Sequence, residues 1–106
     1  MPQSCSEMPR HHMVRLQLYG LLRLMLAGKE AMELPWQEGD TVRHMLEKFQ
    51  AAVSIPVNHK LIDANGSPHI GTIILVNRRN ILHLDGLETP IQERDVLALF
   101  PPGAGG

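Results

Sequence analysis

The stretch that most limits what this chain can fold into is Val96-Leu97-Ala98-Leu99-Phe100-Pro101-Pro102. Both alternating sets of the run, Val96/Ala98/Phe100 and Leu97/Leu99, are apolar. Such a strand belongs in the middle of a sheet whose two faces are both covered. Pro101 and Pro102 cannot donate to a ladder, so the strand stops at Phe100. Beyond them Gly103-Ala104-Gly105-Gly106 has no side chain larger than a methyl, and such a tail cannot pack itself down. Its one reactive group is the carboxylate of Gly106. A slim peptide ending in a carboxylate can thread a narrow channel into another protein's active site. A frayed terminus or a cloning remnant has the same composition, so the tail by itself leaves both readings open.

The 106 residues point to one domain with one core. With 43% hydrophobic and 20% charged residues the balance is that of a soluble globular protein. A formal net charge of −1 gives no support to nucleic-acid or anionic-lipid binding. A single cysteine, Cys5, excludes an intrachain disulfide framework and a cysteine-based zinc site. No apolar run approaches a membrane span or a signal-peptide core, so the expected compartment is the cytoplasm.

Residues 1–12 contain two prolines and no periodicity, and read as a disordered extension; Met8 and Met13 are both possible alternative starts. His11-His12 and Cys5 read as incidental, and no metal site is expected. Order begins at Met13. Val14, Leu16 and Leu18 alternate with Arg15, Gln17 and Tyr19, the pattern of a half-buried strand, which Gly20 breaks. Leu21–Leu26 is either a helical turn or a packed loop. Glu30–Leu34 reads as a second strand ended by Pro35, close enough to the first to form an antiparallel hairpin. Thr41 is the expected N-cap of the one clear helix, in which Val42, Met45, Leu46, Phe49 and Val53 form a core-facing stripe. Arg43, Glu47, Lys48 and Gln50 lie on the outer face, and His44 reads as a solvated or boundary histidine.

Residues 54–71 are irregular, punctuated by Pro56, Asn65-Gly66 and Pro68, with Leu61-Ile62 as an anchor to the core. His59 and His69 in this segment show no metal-ligand spacing. Thr72–Val76 is a β-branched run expected to be buried on both faces. Asn77–Asn80 is a hairpin turn, Ile81–Leu84 a short return strand, and Leu87–Ile91 a turn or 3-10 segment tucking Leu87 and Ile91 inward. The order strand, strand, helix, strand, short strand, strand predicts an α+β β-grasp roll, a mixed four- to five-stranded sheet with one main helix. Its last strand lies parallel beside the first, joined by the crossover that contains the helix. One helix covers one face. The second apolar set of the last strand therefore needs another cover: the Leu21–Leu26 run, the middle segment, or a partner protein.

Several stretches together carry a family resemblance: Leu75-Val76-Asn77, Ile81 through His83-Leu84-Asp85-Gly86-Leu87-Glu88-Thr89-Pro90-Ile91, Asp95-Val96 through Phe100-Pro101-Pro102, and Gly105-Gly106, with Thr41-Val42-Arg43 opening the helix. From Met13 to Gly106, and in this order, the chain resembles the MoaD/ThiS family of ubiquitin-like sulfur carriers, and within it most the small subunits of molybdopterin synthases. It departs at two turns, with Asn77-Arg78 and Glu93-Arg94-Asp95 where that family often has glycine. Non-glycine residues there imply left-handed backbone strain or another turn type.

The resemblance implies a carrier rather than an enzyme. An E1-like adenylyltransferase, using ATP and magnesium that the carrier itself does not bind, would activate Gly106. Sulfur from a persulfide would then convert it to a thiocarboxylate, and a sulfur-accepting enzyme such as the molybdopterin synthase large subunit would receive the sulfur. Gly105, Gly103 and Ala104 would keep the tail thin, and Phe100, Pro101 and Pro102 would sit at the rim of the partner interface. The division is then an extension over 1–12, the β-grasp domain over 13–102 and a flexible tail over 103–106. Carriers for thiamin or for cysteine and methionine synthesis, ubiquitin-like protein modifiers and plain β-grasp interaction domains remain alternatives. No nucleophile–base pair and no phosphate-binding glycine loop followed by a helix is visible in the sequence.

Overall fold

The computed structural model describes residues 12–103; the predicted extension, including Cys5 and His11, and the tail residues Ala104, Gly105 and Gly106 lie outside them. Strand β1 (Met13–Leu18) points Val14, Leu16 and Leu18 into the core. Leu21–Met25 forms a short helix, α1, which seats Leu22 in that core and resolves the choice between helical turn and loop. Strand β2 (Ala31–Pro35) returns antiparallel to β1, with Met13 opposite Pro35 and Gln17 opposite Ala31. Its proline is tolerated because β2 is an edge strand.

Helix α2 (Val42–Ala52) starts where the sequence places it. Val42, Met45, Leu46 and Phe49 are buried, and Val53, the C-cap, packs half-buried against them. The N-terminus closes as a capping box, with Thr41 Oγ1 accepting from the His44 backbone and His44 Nδ1 accepting from the Thr41 N–H at 3.0 Å. His44 thus does the work usually left to Glu or Gln at this position. Behind the cap the buried Asp40 carboxylate accepts from Lys48 Nζ and from the Gln37 N–H, tying the helix to the loop before it.

The middle segment is tied down although its sequence shows no periodicity. Gln50 Oε1 accepts from the backbone N–H groups of Val57 and Asn58, and Gln50 Nε2 donates to the Ile55 carbonyl at 2.8 Å. Val57 and Leu61 are fully buried as a result, and a 3-10 turn spans Asn58–Lys60.

Strand β3 (Ile73–Val76) buries Ile74 and Val76 only. Burial on both faces, as the sequence predicts, does not occur, because Ile73 and Leu75 face the side of the sheet without a helix. The Ile81–Leu84 return strand is also not observed. The return strand, β4, is Arg79–Asn80, and Ile81–His83 is a 3-10 turn that drops Ile81 into the core. The hairpin closes through Asn77-Arg78 alone, with φ of 51° and 74° at the two positions. Such a two-residue turn leaves Ile81 beyond the ladder. Leu87 and Ile91 tuck inward beside a 3-10 turn over Gly86–Glu88, as expected.

Strand β5 (Val96–Phe100) completes a five-stranded sheet of order β2-β1-β5-β3-β4. It runs parallel to β1, with Arg15 opposite Val96 and Leu18 opposite Leu99, and antiparallel to β3. This is the β-grasp roll, with the strand that launches the tail at its centre.

Candidate functional site

Of the two apolar sets of β5, Leu97 and Leu99 are fully buried under α2, whereas Val96 and Phe100 stay half-buried on the opposite face. The buried apolar residues of the α1 segment and of residues 54–71, Leu22, Val57 and Leu61, all join the helix-side core instead. Gln17, Leu75, Asn77, Arg78, Ala98 and the Tyr19–Phe100 pair line a shallow hollow of about 530 Å³ there. The rings of Tyr19 and Phe100 stack at 4.3 Å with 9° between their planes. Arg23 lies over Tyr19 at 5.2 Å while its Nε donates to the Leu18 carbonyl. The pairing follows from the parallel register, because one step beyond Leu18–Leu99 places Tyr19 beside Phe100. In the sequence Tyr19 reads only as an outward residue of β1, and the register is the signal that finds it.

Asn77 fixes one corner of the hollow. Its backbone N–H donates to the Val96 carbonyl, its Oδ1 accepts from the Val96 N–H at 3.0 Å, and its Nδ2 donates to Asp95 Oδ1 at 2.8 Å. These bonds hold an asparagine at φ 51°, where asparagine is better tolerated than most residues. Arg78 and Arg94, at φ 74° and 68°, have no such chemistry in their favour. The backbone strain expected at both glycine-free turns is therefore present.

At the end of β5 the predicted interface residues take different positions. Phe100 is half-buried in the open face, Pro101 is buried, Pro102 is half-buried, and Gly103 is exposed. The chain thus leaves the sheet at the end of its central strand, just beyond the Phe100 ring of the open face. Among the described residues, no group of three or more His, Cys, Asp and Glu side chains could hold a metal ion. No helix among them is long and apolar enough to cross a membrane.

The model of the ThiS family matches residues 16–106, from the second half of β1 to the end of the tail. The chain belongs to the ThiS family. It is thus a member of the small ubiquitin-like carriers and modifiers. Over 95 residues it is 33% identical to small archaeal modifier protein 3 of Haloferax volcanii, covering 88% of this chain and 98% of that protein. In fold it is similar to a chain of the Amycolatopsis orientalis BexX/CysO complex, with a TM-score of 0.73 at 22% identity over 88% of this chain and 99% of that one. Small archaeal modifier protein 1 of Methanosarcina acetivorans gives a TM-score of 0.62 at 26% identity, over 89% and 96% of the two chains. ThiS-family membership covers every element that builds the open face and the tail base.

Proposed function

We propose that this chain is a sulfur carrier whose working group is the carboxylate of Gly106, serving molybdenum cofactor (molybdopterin) assembly. A carboxylate oxygen attacks the α-phosphorus of ATP in an E1-like partner that holds the magnesium, and pyrophosphate leaves. The terminal sulfur of a persulfide attacks the acyl carbon and AMP leaves. A second thiol then cleaves the S–S bond and frees the thiocarboxylate, which a molybdopterin synthase large subunit consumes. The reading is carried by one observation: the central strand runs through two packed prolines into a segment without bulky side chains, beside an open apolar face on which a partner can sit. The Phe100-Pro101-Pro102 ending of the strand leans to molybdopterin, although carriers for sulfur amino acids end in much the same way.

Intact mass after incubation with an E1-like partner, ATP and a persulfide donor tests this. The expected shift is one oxygen replaced by one sulfur, located on the C-terminal peptide; an unshifted mass with a competent activating enzyme overturns the reading. Deletion of Gly106 should abolish the shift and leave thermal unfolding within about 0.5 kcal/mol of the parent.

A second reading, protein modification through an isopeptide bond from Gly106 to lysine, is favoured by the identity with small archaeal modifier protein 3. Lysine-linked conjugates in cell extract that depend on Gly106 would support it.

A further inference from the structure

The open face carries positive charge that the fold leaves unpaired. Arg78 lines the hollow beside the start of β5, and Arg23 lies over Tyr19 at the other end. The strand from Val96 to Phe100 spans roughly 13 Å, so the two guanidinium groups flank an apolar floor of Leu75, Val96 and Ala98. Arg15 stands on the same face, opposite Val96. None of these three arginines has an ion pair among the described residues, where the salt bridges are those of Arg43, His44 and Lys48. Of the strand residues that point to this face, Glu33 is the only acid. Asp95 lies at the Asn77 corner, but its two oxygens already accept from Asn77 Nδ2 and from the Gln92 N–H.

The turn itself gives no reason for an arginine at position 78. At φ 74°, in the second position of a two-residue turn, glycine would meet the geometry without strain. Arg78 is exposed, and its side chain has no hydrogen-bond partner among the described residues. A strained backbone that carries an unpaired cation to the edge of an apolar hollow points to a role outside the fold. Arg23 is anchored instead. Its Nε donates to the Leu18 carbonyl at 3.1 Å, and its two terminal nitrogens make no bond within the described residues.

We propose that the open face docks an acidic surface of the E1-like activating enzyme: an apolar projection enters the hollow, and carboxylates on either side of it pair with Arg78 and Arg23. The identity of the partner rests on the carrier reading. A formal net charge of −1 gives the chain as a whole no attraction for such a surface, so the two arginines supply the orientation and the rate of encounter locally. An apolar centre with charge at its rim is also the make-up of a protein–protein contact.

The fold supplies a matched control. Arg79 is adjacent to Arg78, is exposed and carries the same charge, but its register partner is Val76, whose side chain is buried on the helix side. Affinity for the enzyme that produces the mass shift is measured by calorimetry, and association by stopped flow, each at low and high salt. Arg78→Glu should weaken binding about a hundredfold and Arg78→Gly about tenfold, mainly through slower association, with both losses shrinking as salt rises. Arg23→Gln should weaken it about tenfold, and parent-like binding there overturns the second pair. Arg79→Glu should stay within about twofold of the parent. Because glycine relieves the turn, Arg78→Gly should unfold no earlier than the parent, so its lost binding does not come from lost folding.

Equal losses in Arg78→Glu and Arg79→Glu reduce the effect to net charge and overturn the proposal. A parent chain that neither binds nor shifts in mass with a competent enzyme refutes the carrier reading and the docking with it. A parent that shifts in mass while Arg78→Glu binds as tightly refutes the docking alone.

Discussion

The two faces of β5 begin from nearly the same composition and end in different roles. Leu97 and Leu99 are fully buried beneath α2, with Phe49 and Met45 in the same core. Val96 and Phe100, one residue away along the same strand, remain half-buried beside a hollow with Arg78 at its corner. Hydrophobicity alone therefore does not distinguish a core position from one on the open face. What separates them is supply: the chain has one long helix, and its crossover places that helix on one side. On the other side Ala98 is buried, while Val96 and Phe100 are held in order by the Asn77 bonds and the Tyr19–Phe100 stack.

The sharpest way to break this comparison is to truncate one residue on each face. Leu99→Ala leaves a cavity in the closed face and should cost about 2–5 kcal/mol in denaturant unfolding. Phe100→Ala should cost less than half as much, about 1–2 kcal/mol, because its ring is already partly in water. Its larger effect should be on the partner, with affinity for the activating enzyme falling at least tenfold by calorimetry. A Phe100→Ala chain that binds normally would return the open face to ordinary surface. Thr41→Ala, which removes the cap of the covering helix, should cost about 1 kcal/mol and leave partner affinity unchanged. The smallest effect is a gain: Arg78→Gly relieves a left-handed residue at the corner of the open face and should raise stability by about 0.5–1 kcal/mol in thermal unfolding.

Much of the roll was legible in sequence because its strongest signals are periodic. The alternation in Val14–Leu18, the stripe from Val42 to Phe49 and the doubly apolar Val96–Phe100 each specify an element and a neighbour. The losses come where geometry is set by one or two residues. Thr72–Val76 looks like a two-faced strand, yet the sheet has cover for Ile74 and Val76 only. The return strand falls at Arg79–Asn80 and not at Ile81–Leu84, because a two-residue turn with positive φ at both positions, usually announced by glycine, is made here by Asn77-Arg78. His44 reads as a bystander, since nothing in its identity marks an imidazole as the acceptor of a capping box. At the site, Phe100, Pro101 and Pro102 stand out in the sequence, whereas Tyr19 does not, because the ring it stacks on lies far along the chain.

The order β2-β1-β5-β3-β4 also bears on how the protein is made. The strand at the seam of the sheet comes last along the described residues, and without it the β1–β2 and β3–β4 pairs share no ladder there. A nascent chain therefore holds two unjoined ribbons until residues 96–100 have left the ribosome. A chain cut before Val96 lacks the strand that joins the two ribbons, and the open face loses Val96, Ala98 and Phe100 with it.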